Sequence, residues 1–310
     1  MATINLGVAK PEPFKVCTNS SLLVSEFLNW EYDQSPSGSV IEANYDSGGK
    51  RLGHYAVVPQ RWLFKGEVCR YGLSINNAVS EETRGQGIFA KLGQEVSDKS
   101  AKQDLKALIG VSNSQATYGQ VNRIGFKQFE AMPVFMVPRF LSVSISDFIF
   151  DFCGLDEFLT WIENKNFFET SESNRGVPDA PVRLWDQSEL LWRLSDPSHD
   201  YVMMISDSIA LIVHNINFLS IRVSVILKIF VDVFHDPVDL RFLASQVCKK
   251  NRSSFVLYAG WNPLIVGKGI KIHSSLRPSP LNLIIKSLAS DTDETLLRPD
   301  WFEFLDFDAY

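Results

Sequence analysis

The sequence predicts an α/β chain, α+β in its strand order, made of two related domains at residues 1–140 and 141–310, the second a degenerate copy of the first. Three observations predict it. In the first half an amphipathic helix precedes alternating strands, a glycine-bearing turn, a second amphipathic helix, a strand, a short helix and a last strand. ELLWRLSDPSHDYVMMISDS, from Glu189, echoes EFLNWEYDQSPSGSVIEANYDS, from Glu26, each reading as a helix that ends on tryptophan, a Pro-Ser turn and a strand, so a duplicated fold is the economical explanation. Finally, 310 residues at 45% hydrophobic and 21% charged suit two modest globular domains, each with its own core.

Taken in order, Leu22, Leu23, Phe27 and Trp30 follow helical spacing after the candidate caps Ser20 and Ser21. Residues 39–46 and 51–58 read as strands joined across DSGG, and RWLFKGEVCRYG continues the meander. From Tyr71 to Val79, apolar Tyr71, Leu73, Ile75 and Val79 alternate with Gly72, Ser74, Asn76 and Ala78. Ile88, Phe89, Leu92 and Val96 then share one side of a helix, and LKALIGV is the next strand. The apolar region 202–231 reads as strands and a buried helix. Its Asp207, His214, Asn215, Asn217, Arg222 and Lys228 make it too polar for a bilayer span.

Composition excludes several classes of function. A net charge of −6 supplies no basic face for nucleic acid or an anionic membrane. Cys17, Cys69, Cys153 and Cys248 have no paired spacing, so neither a disulfide framework nor a metal site is expected. MATINLGVAK lacks the basic and apolar segments of a secretion signal, and a reducing cytoplasm fits best.

EETRGQGIFAKL, residues 81–92, sets Gly85 and Gly87 beside Arg84 at a strand-to-helix junction. A helix start offers unpaired amides and the positive end of the dipole, and glycines let a diphosphate approach the main chain without meeting a Cβ. The dinucleotide pattern GxGxxG is absent, as is the Lys-Ser or Lys-Thr pair of a nucleotide kinase. A phosphate cradle of another kind is expected.

NNAVSEETRGQGIFAKL resembles the pyrophosphate-binding motif of the GNAT superfamily of acyl-CoA-dependent N-acyltransferases, and IGVSNSQATYGQVNRIGFKQF resembles the superfamily's second signature. The resemblance implies tandem GNAT-like domains, each a mixed, mostly antiparallel twisted sheet flanked by helices. It implies an acyl-CoA co-substrate held through Arg84, Gly85, Gln86, Gly87, Ile88 and Phe89, with Asn113 beside it and the pantetheine arm paired along Ala78 and Val79. The chain departs from the pattern at Glu82, where Gln or Arg is preferred, and at Gln120, where a tyrosine acid often stands; Tyr118 lies two residues earlier and is the candidate acid. The spacing from Asn113 to the Gly-Phe pair is also one residue longer than usual.

FLNWEYDQSPSG and GHYAVVP look like a GNAT subgroup that acylates nucleotide-linked amino sugars for surface polysaccharide, including transfer of hydroxybutyryl to a dTDP-linked 3-amino-3,6-dideoxyhexose. This likeness implies acetyl-CoA or 3-hydroxybutyryl-CoA as donor, a dTDP- or UDP-linked amino sugar as acceptor, Trp30, Tyr32 and Trp261 as acceptor-binding residues, and a monomer or homodimer. Transfer to a peptide or other small amine, aminoacyl transfer included, and a non-catalytic acyl-CoA-binding regulator are the alternatives.

Amide formation from a thioester needs a neutral amine, a positioned carbonyl and support for the oxyanion, for which amides near Ala78 and Val79 are candidates. His54 has the intrinsic pKa of a base, and Glu42, Asp46 and Glu67 are the carboxylate candidates. Asn76 is suited to orient an amine or a water but not to act as a base. The second half has HDPVDLRFLASQV where the first has its glycine turn, so it is expected not to bind coenzyme A. FVLYAGWNPL repeats the second signature, with Asn262 in the place of Asn113. Trp185, Trp192, Trp261 and Trp301 are expected in cores, giving this half a structural role with acceptor binding as the alternative. WFEFLDFDAY is expected as an edge strand with its acids in water.

Overall fold

Two-residue loops with positive φ shape the first sheet. In the computed structural model, which describes residues 24–141, 149–165, 180–232, 237–267, 269–289 and 292–307, Gly48 and Gly49 (φ +59° and +75°) join β1 (Ile41–Ser47) to β2 (Lys50–Phe64). Lys65 and Gly66 (φ +52° and +79°) likewise join β2 to β3 (Glu67–Val79). Both are turns whose twist matches that of a hairpin. Cys17 and the candidate caps Ser20 and Ser21 lie outside the described residues. The first helix, α1 (Ser25–Leu28), runs into a π-helical turn, Asn29–Asp33.

Helix α2 (Ile88–Lys102) carries the chain from β3 to its parallel neighbour β4 (Leu105–Ser112), the long crossover that a parallel pair requires. α3 (Ser114–Gly119), β5 (Lys127–Ala131) and β6 (Val134–Pro138) follow. The second half contributes β7 (Asp151–Cys153), α4 (Leu155–Asn164), β8 (Val182–Arg183), α5 (Gln187–Leu194), β9 (Tyr201–Ile205), β10 (Ile209–Phe218) and β11 (Ile221–Val231). Then come β12 (Val238–Asp239), α6 (Leu240–Asn251), β13 (Phe255–Trp261), β14 (Ile265–Val266), β15 (Ile270–Lys271), β16 (Asn282–Ser287) and β17 (Phe302–Glu303).

Two mixed sheets result. One runs β1-β2-β3-β4-β16-β5 with β8 on β2; the other runs β15-β6-β13-β11-β10-β9-β7 with β17 on β13. Pairing within them is antiparallel except for β3–β4 and β11–β13, so the mostly antiparallel, duplicated plan expected from sequence is the observed one. The sequence halves 1–140 and 141–310 are not the halves in space. β6 lies in the second sheet against β13, and β16 crosses into the first sheet between β4 and β5.

Between the sheets lies a core that includes Trp30, Trp62, Tyr71, Trp185, Trp192 and Phe302, while separate cores sit under α2 and α6. The tryptophans of the two sequence echoes meet there. Trp30 Nε1 donates to Trp192 O at 2.6 Å and Trp192 Nε1 to Trp30 O at 2.9 Å, with the rings stacked 5.0 Å apart.

Two expectations are corrected. Residues 202–231 form the three strands β9, β10 and β11 with no helix, because their many Ile and Val residues suit a pleated, doubly covered surface. Over its described part, residues 301–307, WFEFLDFDAY is not an edge strand with solvated acids, while Asp308 lies outside the described residues. Glu303 and Asp306 are fully buried, since β17 is only two residues long and the chain turns its acids inward onto Lys228.

Candidate active site

The site begins where two strands part. β3 and β4 pair from Arg70 and Leu105 to Leu73 and Ile109, and no further, although both continue. On the other edge of β3, Ile75 faces Ala56 and Ala78 faces His54, so β3 spends one residue more than β2 on the same stretch. That is a β-bulge, and Asn76 at φ +51° occupies the left-handed region that asparagine tolerates best among residues with a side chain. Asn77 fixes the bulge by accepting the Ala56 N–H on Oδ1 at 3.2 Å. The bulge breaks the simple alternation expected along Tyr71–Val79. Asn76 reaches Glu31 and Tyr32, whereas Asn77 donates to Ser74 at 2.8 Å.

The glycine turn opens the start of α2. Gly85 and Gly87 have φ +83° and +77°, and a Cβ at either would meet nothing within 4 Å. The glycines therefore serve a left-handed backbone beside open space. Gly87 caps the helix without any side-chain bond, and Lys91 N–H, on Gly87 O at 3.1 Å, is the first amide with an acceptor one turn back. The amides of Ile88, Phe89 and Ala90 thus lie beyond the reach of the helix's own acceptors, at its positive end. Arg84 is exposed and pairs with Glu81 at 3.2 Å, and Gln86 Nε2 bonds its own turn at Glu82 O at 3.0 Å.

Beyond the parting, polar side chains bridge β3 to β4. Ser74 Oγ donates to Tyr55 Oη at 3.0 Å, Gln120 also bonds Tyr55, and Ser112 Oγ donates to Gln120 Oε1 at 2.5 Å. Gln120, in the place of the expected tyrosine, is thus a buried bridge. Asn113 spends Oδ1 on the Ala116 N–H at 2.9 Å as the cap of α3, and Tyr118 is 65% exposed on that helix. Ala78 and Val79 lie on β3 past the bulge, paired to His54 and Gly53.

On the opposite face of the bulge His54 is completely buried. Its Nδ1 meets Asn44 Oδ1 at 2.6 Å, an acceptor, so Nδ1 carries the proton and Nε2 accepts the Tyr32 hydroxyl at 2.8 Å. Burial first, then Arg51, lowers its pKa to about 3. At neutral pH it is uncharged, and the 3.9 Å approach of Glu42 is not an ion pair. With both nitrogens occupied and no solvent contact, His54 does not have the access a direct base needs, which corrects that expectation. The other carboxylates are placed no better: Asp46 pairs with Arg51 at 3.0 Å, and Glu67 is exposed at the far end of β3.

The three proposed acceptor contacts fare differently. Trp30 is a core pillar with only an edge on a cavity of about 20 Å³, large enough for one water. Tyr32 stands beside Asn76. Trp261 lies under the Arg298 guanidinium, 4.9 Å from its ring centre, and does not line that cavity. Glu31, which sequence reasoning passed over, does line it: the residue is 97% buried and its Oε2 accepts Asn76 Nδ2 at 2.8 Å. A carboxylate inside an otherwise aromatic helix end was the signal available.

The second half closes the same architecture. β11 bulges opposite Ile212 and Val213, and it parts from β13 after Ile226 and Tyr258. Here the chain's own tail fills the opening. Gly260 and Trp261 pair with Glu303 and Phe302, and Lys228 on β11 holds Asp306 at 2.7 Å and Glu303 at 3.2 Å. The start of α6 is capped by Asp239, whose carboxylate accepts the Arg241 N–H at 2.8 Å and sets a negative charge where the first half leaves open amides. Asn262, like Asn113, ends a central strand, with Oδ1 on Leu264 N–H at 3.0 Å. Among the described residues no cluster of side chains suited to a metal ion occurs, and no helix is long and apolar enough to cross a membrane.

No protein-family model matches the chain, and no curated protein matches it in sequence. Solved structures do match it in fold. A GCN5-related N-acetyltransferase from Anabaena variabilis superposes with a TM-score of 0.60 at 11% identity, over 90% of this chain and 69% of that one. A conserved protein of unknown function from Enterococcus faecalis, a probable N-acyltransferase, gives 0.60 at 12% identity over 89% and 70%. A GCN5-related N-acetyltransferase from Kribbella flavida gives 0.55 at 11% over 79% and 59%. At such identities the likeness is one of fold, and it extends over both halves of the chain.

Proposed function

We propose that this chain is an acyl-CoA-dependent N-acyltransferase whose working site lies in its first sheet. The observation that carries the reading is the open start of α2 beside the parting of β3 and β4: uncapped amides at a helix's positive end, a turn with room above both glycines, and a bulged strand alongside. The GCN5-related fold of the neighbours supports it. The second half, with its tail-filled opening and Asp239 cap, serves as the partner that completes the first sheet.

In this reading the amides of the Arg84–Phe89 turn bind the carrier's diphosphate, and the edge of β3 freed by the parting takes the pantetheine arm through its amides. Main-chain donors past the bulge, near Ala78 and Val79, support the oxyanion as an amine attacks the thioester carbonyl. The thiolate is a good leaving group, so Tyr118 serves only as its optional proton source. For the substrates themselves we propose acetyl-CoA or 3-hydroxybutyryl-CoA as donor and the amino group of a dTDP- or UDP-linked amino-deoxy sugar as acceptor, supported by the likeness of FLNWEYDQSPSG and GHYAVVP to enzymes of that class.

A thiol-release assay that crosses both donors with a panel of dTDP- and UDP-amino sugars tests this. Thiol release that requires both substrates is expected. Gly85→Val and Gly87→Val are expected to raise the donor KM at least tenfold while the amine KM stays within twofold, with thermal melting as the control for folding. Unchanged donor kinetics in both variants would remove the diphosphate assignment.

A further inference from the structure

At one end of the second sheet the chain breaks a local rule and the fold gains nothing from it. We propose that this end, the tip of the β10–β11 hairpin with residues 139–141 beside it, docks on an anionic lipid bilayer. The proposal is independent of the acyltransferase reading.

A two-residue hairpin turn with positive φ at both positions favours glycine or asparagine, and the β1–β2 turn uses Gly48 and Gly49. The β10–β11 turn uses Leu219 and Ser220, at φ +46° and +65°. Leucine bears the Cβ clash of the left-handed region, and with 81% of it exposed no packing offsets that strain. Such an outlier at an exposed site points to a function outside the fold. Residues 216–222 are all exposed, and β9 leaves β10 after pairing Tyr201 with His214, so the tip outruns its neighbour. Ile216 pairs with Val223 and Phe218 with Ile221, which sets Ile216, Phe218 and Ile221 on one face of the hairpin.

The same edge gathers cations. Ser254 N–H donates to Arg222 O at 2.9 Å and Arg139 N–H to Ser254 O at 3.0 Å, so Arg222 and Arg139 stand in one row across the sheet. Phe140, 84% exposed, and Leu141 continue outward from that row. Arg139, Arg222 and Arg252, which follows α6, are exposed, whereas β6, β10, β11, β13 and α6 contain no Asp or Glu. Asp200, ahead of β9, is the acid on that flank, and its carbonyl accepts His214 Nδ1 at 3.0 Å.

Apolar side chains on a protruding tip with arginines behind them match the boundary of a bilayer, where the first enter the acyl region and the second meet headgroup phosphates. A second copy docked across a two-fold axis would set these arginines against their own images. The net charge of −6 averages over acids that lie elsewhere. At the tip the local arginines prevail, because fields between exposed charges fade within a Debye length, ~8 Å at physiological salt.

Flotation of the full chain with vesicles of phosphatidylcholine and phosphatidylglycerol in equal parts tests this. Binding is expected at about 0.1 M salt, and at least tenfold less at about 1 M, where the Debye length shrinks from ~10 to ~3 Å. Vesicles of phosphatidylcholine alone are expected to bind at least tenfold more weakly. Leu219→Asn suits the left-handed turn, so its melting temperature is expected to hold or rise while vesicle binding falls about fivefold, and adding Phe218→Ser is expected to bring the loss to at least tenfold. A purely structural tip would lose stability and binding together. Arg222→Gln with Arg252→Gln is expected to abolish the preference for anionic vesicles. A wild-type chain that stays in the lipid-free fraction, or a Phe218→Ser, Leu219→Asn variant that floats as wild type does, overturns the proposal. Self-association in sedimentation velocity that this double substitution abolishes, with no vesicle binding, overturns it in favour of a second copy.

Discussion

His54 shows how a residue's surroundings decide what its chemistry is worth. An isolated imidazole titrates near pH 6.5, and burial moves this one to about 3. Its folded pKa lies below the unfolded value, so between the two the unfolded chain binds the extra proton. The stabilisation is therefore complete above about pH 6.5 and declines as pH falls toward 3. From pH 7.5 to pH 5 this group alone is expected to cost about 2 kcal/mol of folding stability. Urea denaturation of wild type and His54→Gln at the two pH values checks it, and the variant is expected to lose less on acidification. The histidine itself was conspicuous in GHYAVV. Its complete burial was not, because Asn44, Tyr32 and the bulged strand that enclose it come from three separate segments.

At the scale of elements, one plan has two outcomes. Both β3 and β11 bulge and part from a parallel neighbour, but only the second opening is filled by the chain's own tail. The second is sealed by residues 301–307, whose buried acids gather Lys228, Tyr258 (2.9 Å to Glu303), Trp301 (2.7 Å to Glu303) and Trp185 (2.8 Å to Asp306). Burial pushes the Glu303 carboxyl above the usual range, with Lys228 opposing the rise. Lys228→Met would strand two carboxylates without their cation, and breaking a buried pair in this way typically costs about 3–5 kcal/mol. A lowered denaturation midpoint is expected, and an unchanged one would mean that the tail's hydrogen bonds suffice without the lysine. The alternating acids and aromatics of WFEFLDFDAY have the pattern of an exposed edge strand. What overrides it is Lys228, 75 residues or more earlier in the chain, on β11.

At the scale of the whole molecule, the strand exchange makes the halves interdependent. Without β16 the first sheet has a gap between β4 and β5, and Lys286 on that strand also donates to Ile124 O at 2.8 Å and to Ser97 Oγ of α2 at 3.1 Å. Residues 1–140 expressed alone are expected to lack a cooperative thermal transition, and co-expression with 141–310 is expected to restore one. A sharp melt from the isolated fragment would show that β16 is dispensable.

The amino-acid order alone determined the elements whose signals are local: the glycine hairpins, the helix that follows Gly87, the strand LKALIGV and the duplication itself, because turn chemistry and periodicity act over a few residues. Tertiary structure decided which strands share a sheet, that Asn76 bulges, that Trp30 is a pillar, that Glu31 faces the bulge, and that the second opening is filled. Those outcomes depend on pairing and burial between segments far apart in the chain, and such contacts leave no periodic mark on either partner.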